Sequence, residues 1–94
     1  MAQRVDPDDG KYTVTLGGQN SEMTIAGSTL RWPSGSLRCH TYTRVDVGVY
    51  EYEDNDWDPV LVHQLVTMDN GTIISTLKWQ PYGMTSKTGT YVTK

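Results

Sequence analysis

A short stretch of this chain occurs twice. Residues Ser28–Trp32 read STLRW, residues Ser75–Trp79 read STLKW, and a Thr-Ile pair precedes both copies. Because side chains alternate between the two faces of a β-strand, the Leu and Trp of each copy share a face. The repeat predicts two similar β units with Trp32 and Trp79 as equivalent core residues. The first copy has an extra residue before its Ser, which predicts a β-bulge at Ala26-Gly27.

The length of the chain, 94 residues, is that of one domain. The repeat divides this domain into segments. We predict a flexible arm at residues 1–10, a first β unit at 11–44, an acidic connector at 45–59 and a second β unit at 60–94.

Composition and alternation both favour β-structure. The chain is rich in Thr, Val and Tyr, which suit strands, and it contains no Phe. Asn70-Gly71 between two apolar runs predicts a type I′ hairpin turn, and Gly48 predicts a bend or the close approach of another backbone segment. We therefore expect an all-β fold, a small antiparallel barrel or two-layer sandwich of about seven strands. The predicted strands are 11–16, 22–32, 36–44, 45–53, 60–67, 72–79 and 90–93.

Within the strand predicted at 36–44, the alternation separates two sets of side chains. Leu37 and Cys39 lie on one face, while His40 and Tyr42 lie on the other, which we expect to face solvent. Cys39 and His40 therefore cannot pair as nucleophile and base, and no spacing links Cys39 to His63. Four zinc ligands in recognisable pairs are absent as well.

Two further motifs have simpler explanations. Asp54–Asp58 begins like a calcium loop, but Pro59 stands where that loop requires Gly and no Glu follows at its end. Asn70–Thr72 is a glycosylation sequon that the hairpin turn also explains. We accordingly predict no catalytic residue, no bound metal and no cofactor, and expect that the protein is not an enzyme.

Residues Ser75–Pro81 (STLKWQP) resemble a segment of the cyanovirin lectins, which are also built from two repeats. The similarity covers these residues alone. The paired cysteines of that family are missing, since Cys39 is the single cysteine here. No site residue is therefore assigned from the resemblance.

Acidic residues cluster in the middle of the sequence. The net charge is −3, and no Lys or Arg occurs between Arg44 and Lys78. Aromatic side chains interrupt the acidic run, as they do in protein- and sugar-binding surfaces. The predicted binding surface comprises Asp46, Tyr50, Glu51, Tyr52, Glu53, Asp54, Asp56, Trp57 and Asp58.

These features lead us to expect a non-enzymatic structural or protein-interaction module, with a phage or virus accessory protein (capsid decoration or tail component) as the first expectation. The alternatives are a soluble carbohydrate- or small-ligand-binding protein using Trp57, Tyr50 and Tyr52, and an acidic inhibitor that mimics nucleic acid. We expect a protein partner, which includes a second copy of this chain. Nucleic acid is disfavoured by the negative charge.

A membrane partner is not expected, because no run approaches the roughly 18 apolar residues of a spanning helix. The N-terminal residues lack the apolar segment of a secretion signal. A virion or the cytoplasm is therefore the expected location.

Overall fold

Strands account for most of the chain in the computed structural model, which describes all residues from Met1 to Lys94. Each strand pairs antiparallel with the next, and the last pairs with the first, so that the sheet closes into a barrel. The predicted all-β antiparallel barrel is therefore confirmed, with eight strands where about seven were expected. The strands are β1 (Gly10–Leu16), β2 (Gln19–Ala26), β3 (Thr29–Trp32), β4 (His40–Asp46), β5 (Val49–Asp54), β6 (Leu61–Thr67), β7 (Thr72–Trp79) and β8 (Gly83–Thr93).

The additional strand arises in the first copy of the repeat. Ala26 pairs with Thr29 across a tight turn, and Gly27 lies in that turn with φ of 62°. The predicted β-bulge at Ala26-Gly27 is therefore wrong, because the extra residue is used to reverse the chain between β2 and β3. The second copy continues without a turn as β7. The repeated sequence thus forms a hairpin in one copy and a single strand in the other.

The hairpin between β6 and β7 differs in detail from the predicted type I′ turn. Gly71 has φ of 82°, but no residue other than Gly has a positive φ, which excludes a type I′ turn at Asn70-Gly71. The Gly71 amide donates to the Met68 carbonyl, and the Met68 amide donates to Thr72. This is a three-residue loop, a type I turn closed by a left-handed glycine.

The orientation predicted for the third strand is also wrong. His40 and Tyr42 face the barrel interior, whereas Leu37 lies outside β4 and is fully exposed. Tyr42 is 2% exposed and belongs to the core. Burying its large ring removes more apolar surface from water than burying Cys39 and Thr41 would, which explains the orientation.

The core fills only one half of the barrel, the half that contains the β2–β3, β4–β5 and β6–β7 turns. We call this half the closed end. Ten side chains pack together there, and Leu16, Trp32 and Tyr52 lie against them. The ten are Tyr12, Val14, Met23, Ile25, Leu30, Tyr42, Tyr50, Leu65, Ile73 and Tyr91.

The N-terminal residues cross the closed end and hydrogen bond to it. Val5 exchanges hydrogen bonds with Thr67, and Gln3 does the same with Asp69. Asp6 accepts two hydrogen bonds from the Arg44 guanidinium and one from the Gly48 amide. The sequence predicted a flexible arm at residues 1–10, but these hydrogen bonds attach the segment to the closed end.

Gly48 confirms the prediction of a bend and a close backbone approach. It lies at the β4–β5 turn with φ of 64°. A Cβ atom there would lie 2.7 Å from the carbonyl oxygens of both Val5 and Thr67. The structure contains no helix with the length and apolarity needed to cross a membrane.

Candidate functional site

The half of the barrel opposite the closed end is hollow. We call this cavity the cup; its volume is about 450 Å³. The loops after β1, β3, β5 and β7 surround its end of the barrel. The residues that line it are Leu16, Gln19, Asn20, Ser21, Trp32, Pro33, Arg38, His40, Tyr42, His63, Ser75, Leu77, Thr85 and Lys87.

Strand alternation explains how these side chains reach the cup. On β6, β7 and β8 the residues that line the cup have the same parity as core residues further along each strand. His63 thus shares a face with Leu65, and Lys87 shares one with Tyr91. At the open end, these inner faces carry the polar side chains of His63, Ser75, Thr85 and Lys87 together with Leu77.

The wall of the cup is incomplete between β8 and β1. These strands pair only between Thr15↔Thr90 and Tyr12↔Thr93. The first part of β8, from Gly83 to Gly89, pairs with β7 alone. The turn that follows Leu16 and this first part of β8 consequently border the gap in the wall.

Two histidines form an aromatic group with Tyr52 inside the barrel. The His40 and Tyr52 rings are stacked, with centroids 4.4 Å apart and an interplanar angle of 21°. The His63 ring lies 5.3 Å from Tyr52 and 5.8 Å from His40. These contacts fix the two imidazoles against the wall of the cup.

The pKa of His63, which lines the cup, is lowered from its ordinary value. Burial lowers its pKa, the charge of His40 lowers it further, and Asp54 opposes both. Leu77 and Ser75, which lie near His63 on β7, carry no charge. The His63 Nε2 atom is buried and has no hydrogen-bond partner.

The other polar groups of the cup differ in their hydrogen bonds, burial and ion pairs. The Trp32 indole donates to the Ser21 hydroxyl at 2.8 Å, which fixes the ring at the wall. Burial, with a smaller effect of Tyr52 and Cys39, raises the pKa of Tyr42 to about 12, so its hydroxyl keeps its proton near neutral pH. Arg38 and Lys87 take part in none of the three ion pairs of the structure.

The two repeated tryptophans lie at the open end and are not core plugs. Both are half-buried, and each indole donates one hydrogen bond, Trp32 to Ser21 and Trp79 to the Pro59 carbonyl at 2.7 Å. The Trp79 ring also packs edge-on against Trp57, with ring centroids 4.8 Å apart, and against Tyr82, with centroids 4.5 Å apart. Trp57, Trp79 and Tyr82 form an aromatic cluster, which we call the rim cluster.

The structure distributes the predicted binding residues over several surfaces. Tyr50 is 1% exposed in the core and cannot serve as an exposed sugar-stacking residue, and Tyr52 faces the interior. Glu51 and Glu53 point outward, where Glu51 accepts a hydrogen bond from Gln64. Both glutamates border a shallow groove on the outer wall of β4 and β5.

The remaining acidic residues are divided between the two ends of the barrel. Asp46 lies at the closed end, where it pairs with Arg4 at 3.6 Å. Asp54, Asp56, Trp57 and Asp58 lie at the open end, where the Asp54 carboxylate accepts a hydrogen bond from the Asp56 amide. The predicted surface is thus not contiguous.

Sequence reasoning did not identify the cup. Its signal was present as polar residues with the parity of core residues: His63 two positions before Leu65, and Lys87 four before Tyr91. No group of three or more His, Cys, Asp or Glu side chains is arranged to hold a metal ion. Comparisons of the chain with protein-family models, curated proteins and solved structures found no match.

Proposed function

We propose that this protein binds a small molecule in the cup. The observation that supports the proposal is the cavity of about 450 Å³ in one half of a closed barrel. Small-molecule sites typically occupy about 300–1,000 Å³ and combine an apolar lining with a few polar groups. The interior of an eight-stranded barrel is wide enough for one small ligand.

The division of the interior favours binding over a purely structural role. The closed half holds a packed core, which supplies stability. In the other half, Ser75 and Thr85 occupy inward positions that larger apolar residues would fill in a barrel selected for stability alone. The fixed rings of Trp32, His40 and His63 then require little ordering when a ligand binds.

A cavity-filling variant tests this function. Ser75 points into the cup, so Ser75→Phe places a ring in the cavity. Thr88→Phe is the matched control, because the neighbouring parity on β8 directs Thr88 outward and leaves it exposed. A library of small neutral, anionic and cationic compounds is screened by ligand-observed NMR.

We expect compounds that bind the unmodified protein and Thr88→Phe but do not bind Ser75→Phe. Trp32 fluorescence, isolated by replacing Trp57 and Trp79 with Phe, should change on binding. Binding that survives in Ser75→Phe, or no binding from any compound class, would refute a ligand site in the cup.

A protein-interaction role is the second proposal, and the rim cluster favours it. Trp57 is 46% exposed and Tyr82 is 68% exposed, and Asp56 and Asp58 lie beside Trp57 in the same loop. Exposed Trp and Tyr side chains are frequent anchors of protein interfaces. A role as a virion accessory protein remains a prediction from the sequence.

The interaction role is tested by pull-down from the source with the unmodified protein, Trp57→Ala, and a charge reversal of Glu53, Asp54 and Asp56. Loss of a specific partner in both variants, at unchanged stability, supports the proposal. Identical capture by all three proteins contradicts it.

A further inference from the structure

The cup is lined by basic side chains and by no acidic ones, although the protein as a whole is acidic. The chain has 11 Asp and Glu residues, eight Lys and Arg residues and two histidines, with a net charge of −3. Both histidines, Arg38 and Lys87 line the cup, and no Asp or Glu does. The sign of the charge in the cup is therefore opposite to that of the whole molecule.

The two permanent cations of the cup have no acidic partner within the protein. The ion pairs of the structure join Arg4 to Asp46, Arg44 to Asp6, and Lys94 to Glu22. Asp54, the acid that acts on His63, accepts a hydrogen bond from its own loop and does not line the cavity. Arg38 and Lys87 are consequently available to an anionic ligand.

Flat side chains form the adjoining wall. Trp32, His40, Tyr42 and His63 all line the cavity, and the His40 ring is held by stacking on Tyr52. Planar ligand groups pack well against aromatic faces, either offset-stacked or edge-to-face. Such a wall selects a flat ring over a flexible chain.

The His63 imidazole contributes a flat ring to this wall. Its Nε2 atom is buried without a hydrogen-bond partner, a rare and unfavourable state for a buried polar atom. The atom is closed off from the cavity, so a ligand polar group could satisfy it only after the imidazole turns toward the cup. The structure thus combines cations and flat rings in one cavity.

From this combination we infer that the ligand is an aromatic organic acid, with its anionic group near Lys87 and Arg38 and its ring against Trp32 and the two imidazoles. The inference rests on the proposed small-molecule function and adds the chemical class of the ligand. Charge-assisted hydrogen bonds from Lys and Arg to carboxylate, sulfonate or phosphate groups are stronger than neutral ones.

The test compares two fluorescent probes that differ in one charged group: anilinonaphthalene sulfonate and its uncharged parent, phenylnaphthylamine. Both are titrated into the unmodified protein, Lys87→Met, Lys78→Met and Ser75→Phe. Lys78 is the matched control, because its parity on β7 is opposite to that of Leu77 and directs it outward. Arg38→Met provides a second removal of a cup cation, should Lys87→Met fail to fold.

We expect the sulfonate to bind at least about ten-fold more tightly than the parent. Lys87→Met should weaken the sulfonate about five-fold, as expected for a solvent-accessible charge pair, and should leave the parent unchanged. Lys78→Met should affect neither probe. Added salt should weaken the sulfonate selectively.

The two proposals fail in different ways. Equal affinity for both probes, with both abolished by Ser75→Phe, overturns the inference of an aromatic acid and keeps the ligand site. Binding of the probes that Ser75→Phe does not change means that they bind elsewhere, and it overturns both proposals.

Discussion

Two carbonyl oxygens leave no room for a side chain at Gly48. The residue has φ of 64°, and a side chain there would meet the carbonyl oxygens of Val5 and Thr67. Gly27 has nearly the same φ, 62°, with open space around it. The two glycines therefore separate the cost of a left-handed backbone from the cost of a steric clash.

We expect Gly48→Ala to lower the free energy of unfolding by about 3 kcal/mol, and Gly27→Ala by about 1 kcal/mol. The larger loss reflects the displacement of the N-terminal residues from Thr67. Urea unfolding of both variants measures the difference. Equal losses would show that the backbone at Gly48 can move away from Val5 at no cost.

His63 should make stability depend on pH. Because burial lowers its pKa from the usual value of 6.5, the folded protein binds a proton there less readily than the unfolded chain does. The stability is therefore complete above about pH 6.5 and decreases as the pH falls through the lowered pKa of His63. Unfolding by urea between about pH 7 and pH 5 measures this decrease.

In His63→Gln this part of the pH dependence should disappear. His40→Gln should retain most of it, since burial is the largest cause of the lowered pKa of His63 and the charge of His40 is the second. An unchanged decrease in His63→Gln would assign the pH dependence to another group.

At the scale of whole elements, the N-terminal residues act as a strap on the closed end. Asp6 connects this strap to β4 and to the β4–β5 turn through Arg44 and the Gly48 amide. The hydrogen bond from Arg44 is the largest cause that lowers the pKa of Asp6, followed by that from Gly48. The stabilisation is thus present above the usual pKa of 3.8 and is lost as the pH falls through the lowered value.

Asp6→Asn should destabilise the protein by about 1 kcal/mol, a modest amount because both partners are partly exposed. Asp46→Asn is the control: it weakens only the 3.6 Å contact to Arg4, because the Asn side-chain oxygen can still accept the hydrogen bond from the Val47 amide, and it should have little effect. Guanidinium chloride would screen the ion pair, so urea unfolding at low salt is the suitable measurement. A loss as large in Asp46→Asn would contradict a specific role for Asp6.

The elements also show which parts of the fold could be predicted from the sequence. Alternation of apolar residues identified β1 and β7, while a dense apolar run identified β6. It failed at β4, where His40 and Tyr42 were assigned to solvent, since polar atoms on an inner face resemble an outer face. The same ambiguity concealed the cup, because most of the residues that line it are polar.

Composition and alternation predicted the fold class correctly, whereas the repeat did not predict the local structure of its two copies. Similar sequences around Trp32 and Trp79 form a hairpin and a continuous strand, because Ala26-Gly27 permits a turn where Ile74 does not. The pairing of β1 with β8, which closes the barrel, could not be predicted from local sequence patterns because it joins the two ends of the chain.

As a whole, the molecule is a barrel with one packed half and one hollow half. Leu65 and Leu77 represent these halves on neighbouring strands. Leu65 is completely buried in the core, while Leu77 is 38% exposed and lines the cup. The same substitution at the two positions therefore tests whether stability and binding are supplied by different parts of one interior.

We expect Leu65→Ala to lower the free energy of unfolding by about 2–5 kcal/mol, because it leaves a cavity in a packed core. Leu77→Ala should cost about 1 kcal/mol or less, since its side chain already contacts solvent and loses few packing contacts. Unfolding in urea compares the two losses, and titration with anilinonaphthalene sulfonate compares the affinities.

The affinities should follow the opposite order. Leu77→Ala removes apolar surface from the ligand site and should weaken the sulfonate probe. Leu65→Ala should bind it normally under conditions in which the variant remains folded, because the deleted atoms lie below the cup. Equal stability losses, or a loss of binding confined to Leu65→Ala, would mean that the interior acts as a single core and that the hollow half is not a separate site.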